Sequence, residues 1–352
     1  MRYLFSAAVL AAAIALLTSP TIAADLVGSA LTACLEVIIP SLFAFTVLAV
    51  YLQSSGLYRL ALRPLTLPLS KLFGIDEELC AVFVLGNIGG YPVGARLLCT
   101  LVNEQRLTSA HAGRLLCCCY GSGPSFIIAI AGVRIFGSVQ AGAVIFAACF
   151  CASLLIGVFV CRFGERITLL PAAAKLDLTG ECFVNSVMSA GRVMYTVCAM
   201  IIGFAAVTAV MDITGLRSAL GELLHSQAVL DSLLEISNIQ KLPADNMPLC
   251  AALLSFGGVC VLLQVCALTS AKVPMRGFLL SRIPAAGISA GATWLMCSRL
   301  DLEATSELAQ AVYAPAELTP KLFSVNAGMS VCVLMMCALL IASSNKGVSQ
   351  QK

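Results

Sequence analysis

Leu85-Gly86-Asn87-Ile88-Gly89-Gly90-Tyr91-Pro92-Val93-Gly94-Ala95-Arg96 is an apolar stretch that cannot form one unbroken helix. Glycine weakens a helix, and an internal proline removes a hydrogen bond and clashes with the preceding turn. A second interrupted stretch, Leu254-Ser255-Phe256-Gly257-Gly258-Val259-Cys260-Val261-Leu262-Leu263-Gln264, holds a similar place in the other half of the chain. In a bilayer, irregular backbone survives only where protein or a water-filled cavity covers its polar groups. Paired interrupted segments in two halves predict the solute site of a secondary transporter.

The composition agrees with a membrane setting. Of the 352 residues 60% are hydrophobic and 11% charged, and the mean hydropathy is +0.97. A soluble domain carries roughly 25% charged residues. The chain therefore reads as an all-α polytopic membrane protein with no separable soluble domain. A net charge of +3 without a basic run gives nucleic acid no footing. His111 and His225 are too far apart in sequence to suggest a histidine metal cage, and no metal or cofactor is expected. Seventeen cysteines, most of them in apolar segments and none in a Cys-x-x-Cys pair, read as small packing residues. The partners expected are the bilayer and a small-molecule solute; oligomeric state is left open.

Residues 1–27 hold an N-terminal apolar helix. It is either a signal peptide, with Thr21-Ile22-Ala23 as a cleavage site, or a first transmembrane helix; the apolar segment that follows closely favours retention. Eight further apolar segments follow, near 30–53, 79–100, 112–133, 138–163, 184–211, 247–269, 277–297 and 322–343, each close to the ~20 residues that span a bilayer. Their order repeats: a long helix, an amphipathic connector (56–74, then 214–240), an interrupted segment, two helices. This predicts two repeats, 28–165 with a hairpin at 79–100 and 166–352 with a hairpin at 247–269. The connector 214–240 carries Leu216, Leu220, Leu223, Leu230 and Leu234 at helical spacing with charges between, as an interfacial helix does.

Charge distribution tests whether the interrupted segments span or re-enter. With the N-terminus cytoplasmic, re-entry of both keeps Arg96, Arg106, Arg114, Arg162, Arg166, Lys175 and Arg192 on the cytoplasmic side with Arg59, Arg63 and Lys71. Spanning moves the first seven outside and brings the acid-rich loop 212–246 inside. The positive-inside rule favours re-entry. Three spanning helices then remain per half, an odd number, so the halves have inverted topology.

Gly89-Gly90-Tyr91-Pro92-Val93-Gly94-Ala95-Arg96 resembles the Gly-Tyr-Pro-Val-Gly-Ala-Lys/Arg signature of the sporulation integral membrane proteins of the YlbJ type, within the nucleoside-recognition (Gate) domain family. Ile39-Pro40-Ser41-Leu42-Phe43 is similar to that family's Pro-Ser-Leu-Phe-Pro-Phe entry, with Ala44 in place of its second proline. Leu234-Glu235-Ile236-Ser237 and Phe256-Gly257-Gly258 resemble its second-half motifs, and the likeness runs over most of 30–300. One departure stands out: Gly121-Ser122-Gly123-Pro124-Ser125 occupies the place of an Asn-rich stretch ending Asn-Pro, so the helix break is kept while amide side chains are lost. The resemblance implies a fold like the concentrative nucleoside transporters, with two re-entrant hairpins and two broken helices. It further implies movement of dipicolinate during sporulation and a place in the bacterial cell membrane, for this branch the outer forespore membrane.

Candidate site residues follow from the breaks. Half-helix N-termini offer unpaired N–H groups to an anion. Asn87, Gly90, Tyr91, Pro92, Ser122 and Ser125 surround the first break and the turn after it; Gly257, Gly258 and Gln264 belong to the second. Close helix packing is the competing explanation for the glycines. Arg96, Arg192 and Arg282 lie in or near apolar segments, where charge marks function or snorkels to the interface. Ser189, Arg192 and Tyr195 share one helix face and suit a carboxylate, so Ser189 and Arg192 join the candidates. Glu36 and Glu235 are candidates for ion or proton coupling. The expectation is an alternating-access transporter of a small polar or anionic solute, not an enzyme. The alternatives are a nucleoside or metal-ion permease and a non-transporting scaffold of spore-envelope assembly.

Overall fold

The structure, a computed structural model, describes residues 2–171, 176–269 and 273–299. The spanning segment expected at 322–343 lies outside the described residues. Every regular element described is helical, and four runs are long and apolar enough to cross a membrane: Pro20–Ser54, Val139–Arg162, Gly180–Ile213 and Met247–Thr269.

Helix α1 (Arg2–Thr18) stops at Ser19, and α2 (Pro20–Ala33) starts at once on a proline. The expected cleavage site after Ala23 therefore falls inside α2, and the second apolar segment starts about ten residues earlier than the expected 30. A π-helical turn, Cys34–Ile38, joins α2 to α3 (Ile39–Ser54). Pro40 cannot donate to the helical ladder, and the wider turn before it absorbs the lost bond. Next come α4 (Tyr58–Ala61) and the amphipathic α5 (Arg63–Phe73), which buries Thr66 and Phe73 and exposes Leu65 and Leu72.

Helices α6 (Glu77–Gly89) and α7 (Tyr91–Asn103) lie side by side, turning at Gly90, whose φ is 93°. At 13 residues each arm is about 20 Å long, short of the ~30 Å hydrocarbon core. The two arms fold back on each other. Asp76 caps the first, accepting from Glu78 N–H at 3.1 Å. At the base of the pair Arg106 grips Glu78 with two 2.7 Å bonds.

A broken helix follows. Its first piece, α8 (Ser109–Leu116), gives way to an unwound segment at 117–123; α9 (Pro124–Phe126) then runs on as π-helix through Ile135. The hairpin reaches this unwound segment through Gly94, where a Cβ would sit 1.8 Å from the Cys119 carbonyl oxygen. Long helices α10 (Val139–Arg162) and α11 (Gly180–Ile213) come next. The second half continues with α12 (Leu216–Leu223), α13 (Gln227–Leu234), a 3-10 turn Ile236–Lys241, α14 (Met247–Phe256), α15 (Gly258–Thr269) and α16 (Arg276–Cys297).

The hairpin expected at 247–269 is not one. Helix α14 packs on α16 and α10, whereas α15 packs on α7, α11 and α13, so the two pieces do not lie side by side. Their outer ends are at opposite ends of the bundle. Met247 Sδ is 3.8 Å from Cys297 Sγ, while the loop after α15 puts Pro274 against Gly113 of α8. Residues 247–269 thus run from one end of the bundle to the other as a broken helix, long and apolar enough to span. The second fold-back lies earlier, at α13 and the 3-10 turn, which pack on each other and turn at Glu235. Arg217 and Lys241 both meet Asp231 there, at 2.7 and 3.3 Å. The connector 214–240 was expected to be one interfacial helix; its second part is this short return.

Candidate solute site

The two broken helices expose half-helix ends inside the protein, and side chains from elsewhere satisfy them. The last carbonyls of α14 are all claimed. Tyr91 Oη donates to Leu254 O at 2.7 Å and Tyr120 Oη to Phe256 O at 3.3 Å, while the Arg282 guanidinium reaches Ser255 O at 3.4 Å. Arg282 also donates to Cys117 O at the end of α8. One cation on α16 therefore caps the C-terminal ends of both half-helices, where the helix dipole is negative. It is 1% exposed and stacks on Tyr120 and Phe278 at 4.6 and 5.0 Å. Gly257 passes so close to Tyr120 that a Cβ there would lie 1.8 Å from the phenol oxygen.

On the other side of these caps lies a small cavity of ≈ 40 Å³. Gly90, Tyr91 and Pro92 of the first fold-back, Ser122 and Gly123 of the unwound segment and Glu235 to Ser237 of the second fold-back meet around it. Gln264 and Val261 of α15 close it, with Ile38 and Leu42 before and after Pro40 and with Val197 and Ile201 near the middle of α11. Its size admits about three waters at ~10–15 Å³ each. Ligand pockets are usually some ~300–1,000 Å³, so this space is smaller than a typical one.

The polar groups differ in how far they are committed. Ser122 is 3% exposed, and its hydroxyl lies next to that of Tyr91 without a well-formed hydrogen bond. Glu235, also 3% exposed, accepts from the Ser237 N–H at 2.6 Å and from the Ser237 hydroxyl. No lysine or arginine forms an ion pair with it among the described residues. Gln264 donates to Cys260 Sγ at 3.3 Å.

Of the residues singled out in sequence, Gly90, Tyr91, Pro92, Ser122, Gln264 and Glu235 line the cavity. Asn87 is spent on Phe83 O and Cys118 O, tying the hairpin to the unwound segment. Ser125 bonds Ser41 O at 2.8 Å. Gly257 and Gly258 make the second break without lining the cavity. Ser189 and Arg192 lie elsewhere: Ser189 bonds Arg96, and Arg192 is exposed on α11. Glu36 is exposed in the π-helical turn and faces away from the cavity. Sequence reasoning missed the role of Arg282, which sits early in its segment and reads as a snorkelling cation. Phe278, one turn before it, is the signal that could have shown its burial. Phe126, Ile236 and Ser237 of the cavity wall were also missed.

These features define an all-helical polytopic membrane protein with two chain breaks sealed inside the protein. No protein-family model and no solved structure matches the chain. It is similar to the sporulation integral membrane protein YlbJ of Bacillus subtilis (strain 168), at 28% identity over 134 residues. That alignment covers 37% of this chain and 32% of the relative, a shorter stretch than the expected 30–300.

Proposed function

We propose that the protein is a secondary transporter that moves a small polar or anionic solute by alternating access, with the cavity as its solute site. The observation that carries this reading is convergence. Two fold-back turns and one unwound segment meet around one small space near the middle of the Pro20–Ser54 and Gly180–Ile213 runs. Polar backbone at that depth needs such a lining.

Two inverted repeats are part of the proposal. Each half runs long helix, short helices, fold-back, broken helix, long helix. The first fold-back is rooted beside Arg162, which holds Leu72 O and Lys71 O. The second is rooted at the other end, where Arg134 meets Gln240 at 3.1 Å. Pairing 77–103 with 227–241, and 109–135 with 247–269, supports a fold like the concentrative nucleoside transporters.

The similarity to a sporulation membrane protein favours dipicolinate as the solute and the outer forespore membrane as the location. A nucleoside is the second reading, favoured by one feature: the only charged side chain on the cavity wall is an acid, an acceptor for sugar hydroxyls. A metal-ion permease gains nothing from the site, since no three metal-binding side chains converge among the described residues.

The test is a melting-temperature screen of purified protein against dipicolinate, uridine and divalent metal ions, with uptake into proteoliposomes. A solute that binds the folded state raises the melting temperature. Dipicolinate is expected to do so and to be taken up; no shift and no uptake with any probe would overturn the transporter reading.

A further inference from the structure

The cavity holds an acid that no lysine or arginine pairs with among the described residues. Glu235 is buried, lines the space and has no cationic partner, while Arg96, Arg192 and Arg282 are all committed or placed elsewhere. An unpaired carboxylate at such depth is stable only when a proton or another cation accompanies it. The opposite wall is suited to an anion. Helix α7, 13 residues long, starts at the cavity with Gly90, Tyr91 and Pro92, directing the positive end of its dipole inward. Beside it lies the Ser122 hydroxyl, buried next to the Tyr91 hydroxyl and held in no well-formed hydrogen bond. An anion seated there would face an ionised Glu235 across a space of few waters, and like charges in a dry site repel strongly.

We infer that Glu235 is the coupling group: a small carboxylate occupies the cavity together with one proton on Glu235. This rests on the transporter reading and adds the coupling ion. Protonation removes the repulsion and gives the acid a hydrogen to donate. Binding of solute and proton is then reciprocal, each raising the affinity for the other.

The groups around Glu235 leave it the one free to exchange a proton. Tyr91 of α7 gives its hydrogen to Leu254 O. The thiols of Cys34, on the π-helical turn, and Cys260, on α15, are buried. Lys241, at the far end of the 3-10 turn, is paired with Asp231, which Arg217 also holds. Arg134, from the π-helical stretch after α9, meets Gln240. Helix α14 brings only Cys250, which neighbours Cys149.

The experiment measures dipicolinate binding to the full chain by calorimetry above about pH 6, where the free dicarboxylate no longer titrates. In the pH range where Glu235 of the empty protein is ionised, wild type is expected to take up about one proton per solute, read from buffers of different ionisation enthalpy, and its affinity should fall about tenfold per pH unit; at lower pH both effects vanish. Glu235→Gln, which keeps an acceptor for the Ser237 N–H, should bind with an affinity that no longer changes with pH. Dipicolinate binding without proton uptake at any pH at which the protein stays folded overturns the inference and leaves the transporter reading standing. A pH slope that survives in Glu235→Gln overturns it too. Should the variant fail to fold, the wild-type proton count alone decides. If uridine binds and dipicolinate does not, the carboxylate assignment falls; if neither binds, the transporter reading and this inference fall together.

Discussion

Arg282 and Ser122 are two solutions to the problem of polar groups inside a membrane protein. Arg282 is buried because it has work for its donors: the carbonyl ends of two half-helices and the faces of two rings. A lysine offers a point charge on a stem and cannot reach both carbonyls at once. Arg282→Lys should therefore lower the melting temperature markedly, each lost charge-assisted bond being worth about 1.5–3 kcal/mol. A Lys variant as stable as wild type would show that the bridging geometry is dispensable. Ser122 is the reverse case, a buried hydroxyl beside that of Tyr91 that makes no well-formed hydrogen bond. Ser122→Ala should leave thermal stability unchanged or slightly higher while weakening solute binding about fivefold, a loss of ~1 kcal/mol. Weaker stability with unchanged binding would mean that the hydroxyl serves the fold rather than the solute.

At the scale of elements, basic side chains pin the ends of helices at the base of the first fold-back. Arg114 holds the last carbonyls of α10, including Phe163 O at 3.0 Å, and Arg162 holds the end of α5. Glu78 is the acid among them. Burial pushes its carboxyl up, but the Arg106 fork, with Tyr58 and Arg59, outweighs burial and holds it below the usual glutamate range. Its folded value is thus lower than its unfolded one near ~4.3. The stabilisation it supplies is complete above that value and fades as pH falls through the lower folded value. Glu78→Gln should reduce the melting temperature at neutral pH, and the gap from wild type should close below about pH 4. A gap that does not change with pH would assign the loss to packing alone.

Elements also explain what the sequence could show. The first fold-back was legible because each arm is apolar and Gly90 and Pro92 mark the turn. The second was not. Its arms are eight and six residues long, and Asp231 and Lys241 give it the look of an interfacial helix. The double glycine at 257–258 announced a break but could not say whether the chain returns or continues; the neighbours of α14 and α15 decide that. Arg192 was misplaced for a related reason. Helical spacing fixes which residues share a face with it, not whether that face looks inward.

For the whole molecule, the two ends of the bundle carry unequal charge. Arg59, Arg63, Lys71, Arg106, Arg114, Arg162 and Arg166 belong to the end that roots the first fold-back; Arg134, Arg217, Lys241 and Arg299 belong to the other. The positive-inside rule makes the first end cytoplasmic. The corrected pairing of elements then gives a specific topology. Single cysteines at Asp76 and Gln105 should both label from the cytoplasmic side, because the chain between them enters and returns. A cysteine at Asp245, between the second fold-back and α14, should label from the opposite side. A cysteine at Pro274 should label from the cytoplasmic side again, because 247–269 crosses. The last position separates the two arrangements, since a hairpin at 247–269 would leave Asp245 and Pro274 on one side. The measurement needs a cysteine-depleted background, and most of the 15 cysteines described are buried. Asp245 and Pro274 labelling from the same side would sink the broken-helix assignment, and with it the pairing of 109–135 with 247–269 on which the inverted repeat depends.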